Sequence, residues 1–383
     1  MVRVCKLIPL LEACDFTMGQ SPSSDTYNTI QDGMPFYQGN ADFGKRSPAP
    51  RVWCSAPKKT ANEGDILISV RAPIGAINIA SERCCIGRGL AAIEPMPNVV
   101  TRDYLEHYLR FRKPELERRG TGSTFKAVGK KAFEEMTLPI VPMEEQTGIA
   151  RRLSGVVELK ESALSLIEEL DDLVKSRFVE MLGDPETNPM GWETYSIGQL
   201  ATDVRYGTSK PASPDGEYKY IRMNNMTYEG GLDLSDTKRI TLEGKELDNA
   251  LVRHGDLLFN RTNSRDKVGK TCVFKFDEPM VIAGYIIRVR LCDSIEADYL
   301  ATYLNTSHSK RMLREMAHGA VNQANINAKE MQSIVVPVPP VELQRDFLAF
   351  VRQVDKLKFE TQQAIDKLQL LYDSLAQQYF AVE

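Results

Sequence analysis

The sequence is short of the groups from which metal and redox sites are built. Its 383 residues include four histidines, at positions 107, 254, 308 and 318, too scattered for any ligand spacing. Seven cysteines form no CxxC pair, and the adjacent Cys84 and Cys85 would point to opposite faces of a strand. Reduced thiols in a cytoplasmic protein are the expectation. No uninterrupted apolar run is long enough to span a bilayer, and the amino terminus MVRVCKLIPLLEACDF has a short apolar patch without signal-peptide architecture. A P-loop lysine motif and a GxSxG elbow are also missing. Gly87-Arg-Gly-Leu-Ala-Ala92 matches the GxGxxA dinucleotide fingerprint in form, but Pro95 follows too soon for the helix that fingerprint requires. Nor is there an Asn-Pro-Pro-aromatic motif, because Met190 follows Asn188-Pro189. The expectation is a chain with no metal, no cofactor and no catalytic site of its own.

What is present is an ordinary globular composition, 42% hydrophobic and 26% charged, in a chain long enough for two domains. The net charge of −4 is unevenly spread, since residues 143–183 alone hold nine acids against five bases. Residues 102–131 hold nine Arg and Lys against four acids, and residues 253–275 hold six against two. Such clusters have the form of a phosphate-binding footprint, and ordinary solvated surface is the other reading.

The chain is written twice. Pro139-Ile-Val-Pro142-Met-Glu144-Glu-Gln146 repeats as Pro337-Val-Pro-Pro340-Val-Glu342-Leu-Gln344, at an offset of 198 that holds to the end of the chain. After each proline-rich stop, apolar residues recur at alternating spacings of four and three, the a/d pattern of a coiled coil. The first seam is Ile149, Leu153, Val156, Lys160, Ala163, Ile167, Leu170, Val174, Arg177, Met181. The second is Phe347, Val351, Val354, Lys358, Thr361, Ile365, Leu368, Tyr372, Leu375, Tyr379. Pro142 and Pro340 suit a helix start, and Gly183 suits a helix stop. Lys160 and Lys358 interrupt the two seams at equivalent positions, either to fix register, to meet a partner subunit, or to snorkel out of the seam.

The segments before the helices are mixed. Strand-like runs at Asp65–Val70 and Val281–Val289 alternate with turns and with helical stretches at Arg102–Arg119 and Asp298–Met316. The expected fold is therefore α/β (mixed α+β), with two globular domains, 1–142 and 184–340, each followed by a helix, 143–183 and 341–383. The two helices pair antiparallel, and the whole is an internal two-fold repeat. Anchors such as Gly64-Asp65 and Gly255-Asp256 recur while the loops between them diverge, as would suit two readers of two different targets.

These residues resemble a type I restriction-modification specificity subunit. The resemblance is carried by Gly64-Asp-Ile-Leu-Ile-Ser-Val-Arg-Ala-Pro-Ile-Gly75, Cys85-Ile-Gly-Arg-Gly-Leu90, Gly255-Asp-Leu-Leu-Phe-Asn-Arg261 and Val268-Gly-Lys270. The junctions 139–146 and 337–344 and Phe178-Val-Glu-Met-Leu-Gly-Asp-Pro185 followed by Gly191-Trp192 complete it, so that essentially the whole chain is covered. The resemblance implies two target-recognition domains on double-stranded DNA, each reading half of a split target. It also implies helices that carry two modification subunits, with restriction subunits added. S-adenosylmethionine, ATP and Mg would belong to those partners, and no membrane is involved.

Base reading needs donors of fixed geometry, Arg for guanine and Asn or Gln for adenine, with Lys and backbone amides on phosphates. Polar loops at equivalent places supply such groups. In the first domain they are Gln20, Ser21, Arg71, Arg88, Thr121, Ser123 and Lys126. In the second they are Thr208, Lys210, Asn260, Arg261, Asn263, Arg265, Lys267 and Gln323. The competing reading is a metal-dependent nuclease, since Pro214-Asp215 and Glu243-Gly-Lys245 match a PD…ExK pattern. Gly244 argues against the strand that this chemistry needs, and the first domain has no equivalent.

Overall fold

The computed structural model describes residues 6–122, 126–320 and 323–381. The chain forms two compact units, one of residues 1–165 with 361–383 and the other of residues 166–360.

In the first unit Ile66–Ser69 is the centre of an antiparallel sheet, ordered Cys14–Met18, Leu90–Pro95, Ile66–Ser69, Ile77–Ile79. This strand is apolar without alternation because both its faces are covered. Ile66 and Ile68 belong to the core that holds Tyr104, Leu105, Tyr108 and Leu109 of the helix Arg102–Arg119, whereas Leu67 belongs to a separate core with Tyr37, Cys84 and Ile86. The latter residues come from a second sheet, in which Met34–Tyr37 pairs parallel with Cys84–Ile86. Cys84 and Cys85 alternate as expected, in separate clusters, and burial pushes their thiols up to about 12 and about 11, leaving them inert.

The second unit repeats this plan. Its first sheet is ordered Ala201–Tyr206, Ile286–Leu291, Leu257–Asn260, Thr271–Val273, and in its second sheet Tyr218–Ile221 pairs parallel with Met280–Ile282. The stretch Asp298–Met316, read as continuous, is two helices, Ala297–Leu304 and Ser307–Met316. The break falls at Asn305-Thr306, where the Thr306 hydroxyl accepts from the N–H of Ser309 and caps the second helix.

The long helices span Met143–Leu182 and Val341–Phe380, 40 residues each. Each is anchored at its start by a buried glutamine. Gln146 donates to the carbonyls of Val99 and Val141 (both 2.9 Å) and accepts from the N–H of Thr101 (2.8 Å). Gln344 does the same with Ser294 and Pro339 (3.2 and 2.7 Å) and with the N–H of Glu296 (2.9 Å). Tyr104 and Tyr299 repeat the correspondence, each donating at 2.8 Å to the carbonyl of Pro139 or Pro337. The helix segments run antiparallel within each unit. In the first, Arg152 reaches Tyr379 and Lys160 reaches Gln369; in the second, Lys358 reaches Asp171 and Phe178 meets Phe347.

One expectation about the seam is corrected. Buried positions follow the four-three pattern through Leu153, Val156 and Leu170, but then advance by four to Phe178 and Leu182 rather than to Arg177 and Met181. The second helix likewise ends on Ala376 and Phe380 rather than on Leu375 and Tyr379. A straight helix of 3.6 residues per turn drifts from a seven-residue repeat, and here the last turns pack on globular aromatic residues. Phe380 meets Tyr104 and Tyr108 edge-on, and Phe178 stacks on Tyr299. Lys160 and Lys358 are half-buried and bridge the helix pairs, each ammonium 2.5 Å from an oxygen of Gln369 or Asp171. Gln369 lies 198 residues after Asp171, so the two contacts are one contact written twice.

Candidate nucleic-acid interface

The central strand of the first unit, Ile66–Ser69, leaves its sheet at Val70. The N–H of Val70 donates to Gly89 O and its carbonyl accepts from the N–H of Val128, both at 2.9 Å, so segments 70–72, 87–89 and 126–128 lie side by side. On one flank the N–H of Gln20 donates to Ile86 O (3.0 Å) and that of Arg88 to the Ser21 hydroxyl (3.3 Å), docking the Gly19–Pro22 loop. A Cβ at Gly19 would lie 2.2 Å from Gly87 O, which is why this loop begins with glycine. On the other flank Thr121 and Ala127 exchange backbone hydrogen bonds. Gln20, Arg71, Arg88, Thr121 and Lys126 are thereby exposed along neighbouring segments, with Ser21 half-buried among them. Arg71, Arg88 and Lys126 have no acidic partner among the described residues. Ser123 lies outside the described residues.

The second unit builds the same row. The N–H of Arg261 donates to Tyr285 O (2.9 Å) and its carbonyl accepts from Ile326 (2.8 Å), while Thr208 N–H reaches Ile282 O (2.9 Å). A Cβ at Gly207 would lie 2.1 Å from Ile282 O, the same close approach as at Gly19. Register makes Arg261 the counterpart of Val70 and Thr262 the counterpart of Arg71. The guanidinium of Arg261 lies over the ring of Tyr206, 4.9 Å from its centroid, and the Tyr206 hydroxyl accepts from the N–H of Ala328. Lys267, Arg265 and Gln323 are exposed, and Arg265 also donates to Ala317 O at 3.0 Å.

Several of the polar side chains turn inward or are occupied. Asn260 is fully buried, its amide donating to Thr262 O and Tyr285 O and its oxygen accepting from the half-buried Asn263. Thr208 is buried too, with its hydroxyl donating to Glu246 at 2.6 Å, and the Lys210 ammonium pairs with the same carboxylate at 2.5 Å. These two partners hold the Glu246 carboxyl below the usual range, Lys210 first. Asn260 and Thr208 are scaffold: they fix the loops from which their neighbours project.

The basic run at 102–131 is largely neutralised along the helix Arg102–Arg119 and the short helix Lys130–Glu134. Arg110 pairs with Glu106, Arg112 and Arg119 with Glu115, Lys113 with Glu117, and Lys130 and Lys131 with Glu134 and Glu135. Charges spaced three and four apart meet on one helix face, a signal already visible in the sequence. Two exposed aromatics of the row, Tyr206 and Tyr285, escaped sequence reasoning; their signal was an aromatic in a polar loop where the first copy has Met18 and Gly89.

The nuclease pattern is not assembled. Asp215 sits in an exposed turn, Glu243 precedes the short helix Gly244–Ala250 and Lys245 lies on it, all exposed. Among the described residues no group of three or more His, Cys, Asp or Glu side chains is placed to hold a metal, and no helix is long and apolar enough to cross a membrane.

The profile of the type I restriction modification DNA specificity domain matches residues 9–170 and again 189–370. The chain belongs to this family. Each match takes in one recognition row and most of the helix that follows it. The MjaX specificity subunit of Methanocaldococcus jannaschii is 44% identical over 155 residues, which is 40% of this chain and 36% of that protein. The EcoKI specificity subunit of Escherichia coli K12 is 20% identical over 322 residues, 78% of this chain and 69% of the relative. The type I restriction-modification system S subunit from M. genitalium superposes with a TM-score of 0.57 at 14% identity, over 100% of this chain and 98% of that one. A structure described for assembly and conformational transition of the type I system reaches 0.62 at 19% identity, over 98% and 97%. At those identities the superpositions establish the fold, which they share over its full length.

Proposed function

We propose that the protein is the specificity subunit of a type I restriction-modification complex, reading a bipartite duplex DNA target and performing no chemistry itself. One observation carries this: the same backbone row is built in both units, yet displays different side chains. Where the first unit presents Val70 and Gly89, the second presents Arg261 and Tyr285 on equivalent hydrogen bonds. A constant frame with exchanged donors is what two half-sites of different sequence demand. The DNA-facing set comprises Gln20, Ser21, Arg71, Arg88, Thr121 and Lys126 in the first unit, with Arg261, Asn263, Arg265, Lys267 and Gln323 in the second. Lys210 acts through its pair with Glu246.

Partner subunits supply the catalysis. Two modification subunits on the helices bring S-adenosylmethionine and methylate adenine, and restriction subunits bring ATP and Mg. Described cysteines that are all free suit the reducing cytoplasm where such a complex works. Mapping methylated adenines in cells with and without the gene tests the reading. A split motif that vanishes with the gene is expected. Methyl transfer or metal-dependent cleavage by the purified chain alone would overturn it.

A further inference from the structure

The second unit buries two lysines that its frame does not need. Lys310, on the helix Ser307–Met316, is 6% exposed, and Lys270, beside the strand Thr271–Val273, is 9% exposed. Lys270 donates to the carbonyl of Met226 at 2.8 Å. The Lys310 ammonium has no hydrogen-bond partner; the ring of Tyr228 covers it, with Nζ 4.6 Å from the centroid. Arg314 donates to the Tyr228 hydroxyl at 3.1 Å. Gly230, two residues on, comes up against Asn305, whose buried side-chain oxygen is likewise without a partner. One short segment, 226–231, therefore roofs both orphaned groups.

Burying an ammonium without an acceptor is unfavourable, and such a group in a native fold calls for a ligand or a function. Burial, and then the charge of Lys270, push Lys310 down to about 8, so it remains mainly charged at neutral pH. Among the described residues, the acid that acts on Lys270 and Lys310 is Glu229. The frame itself does not require this lysine. Lys113, which precedes Lys310 by 197 residues just as Leu116 precedes Leu313, is only half-buried in the first unit and is paired with Glu117 at 3.8 Å. Lys270 also follows directly on the loop that carries Arg265 and Lys267, at the edge of the recognition row.

We propose that Lys310 and Lys270 form a phosphate site under Tyr228, occupied by a backbone phosphate of the bound duplex once the ring moves aside. The proposal rests on the DNA-reading function. It adds a contact that carries no sequence information but positions the second half-site, and whose cost is an unpaired charge in the unbound protein.

The test uses the full chain and the variant Lys310→Met. Exchanging the orphaned ammonium for a thioether of similar length is expected to raise the melting temperature. It is also expected to weaken binding to the target duplex about tenfold and to lower the slope of log affinity against log salt by about one, with sequence preference unchanged. Lys310→Arg, which keeps the cation, retains the slope. Tyr228→Ala, which uncovers the site, leaves affinity equal or higher. Inorganic phosphate separates the two sources of the anion: stabilisation of the wild type by phosphate, absent in Lys310→Met, marks a site open to the free ion, and stabilisation by duplex alone marks one built for the backbone. Wild-type affinity and slope in Lys310→Met would overturn the proposal, as would an equal loss in Tyr228→Ala. A wild-type chain that binds no duplex would instead bring down the DNA-reading function, and the phosphate arm would then decide the site alone.

Discussion

Arg261 shows how much a single exchanged residue does in a repeated frame. Its backbone makes the two hydrogen bonds that Val70 makes in the first unit, so the scaffold is indifferent to the side chain. That side chain is held by the Tyr206 ring rather than by an acid, which leaves its charge available. Arg261→Ala is therefore expected to weaken DNA binding while leaving the fold intact. Lys126→Ala should lower the salt slope by about one unit without altering sequence preference, as loss of a phosphate contact does. Fluorescence anisotropy across a salt series, with thermal melts as control, measures both; unchanged affinity in both variants would remove these loops from the footprint. Asn260→Ala provides the contrast. It strips partners from buried groups at about 1–3 kcal/mol each, so stability should fall before affinity does.

At the scale of elements, the junction of domain and helix is the point of greatest leverage. Gln146 and Gln344 each tie the first turn of a long helix to two carbonyls and one N–H of the preceding segments. Gln344→Ala should cost on the order of 3 kcal/mol, because three buried groups lose their partner together. Gln146→Ala should cost about the same if the repeat is energetic as well as geometric, and urea titration of both variants is the comparison. The first unit also has a buried polar cluster of its own. His107 contacts the Tyr372 hydroxyl at 3.0 Å and the Ser154 hydroxyl at 2.9 Å, joining three helices. Burial lowers its pKa from 6.5 to about 4. Above pH 6.5 the imidazole is neutral in both folded and unfolded chains. Between 6.5 and about 4 only the unfolded chain takes the proton, so stability drains as pH falls through that window and levels below it. Melting temperatures from pH 7 to 4 should fall less steeply in His107→Gln than in the wild type.

At the scale of the whole molecule, the core of the first unit is finished by the far end of the chain. Ala376 and Phe380 are buried with Tyr104, Tyr108 and Leu109, and Tyr372 packs beside them. A fragment of residues 1–183 would expose that seam, and two copies can close it on each other by two-fold symmetry. Its own helix offers Val174, Phe178 and Leu182 at the positions 198 residues before Tyr372, Ala376 and Phe380. Phe178 must then enter a space shaped for alanine, which costs about 1–3 kcal/mol in a close-packed core. The expected outcome is a homodimer, less stable than the intact chain, with two copies of one recognition row. With partner subunits it should direct methylation to an inverted repeat of one half-site. Sedimentation checks the first step and methylation mapping the second; a well-folded monomer, or an asymmetric target, would contradict the two-module description.

The amino-acid sequence by itself determined the doubled plan, because an offset of 198 imposes the same apolar pattern twice and like patterns bury alike. It also determined where the helices Met143–Leu182 and Val341–Phe380 begin and where the first one stops, since prolines before them and Gly183 after the first act through local backbone geometry, whereas the second ends three residues before the expected 383. Tertiary structure alone decided which polar residues face outward. Asn260 and Arg261 are neighbours in one polar run, yet strand alternation and the carbonyl of Tyr285 turn the first inward and leave the second half-buried against Tyr206. Lys113 and Lys310 stand at matching positions, yet the first is half-buried with an acidic partner while the loop at 226–231 covers the second as an orphaned buried charge. Such outcomes depend on which distant segment arrives to supply an acceptor or a cover, and that is set by packing rather than by the residues on either side.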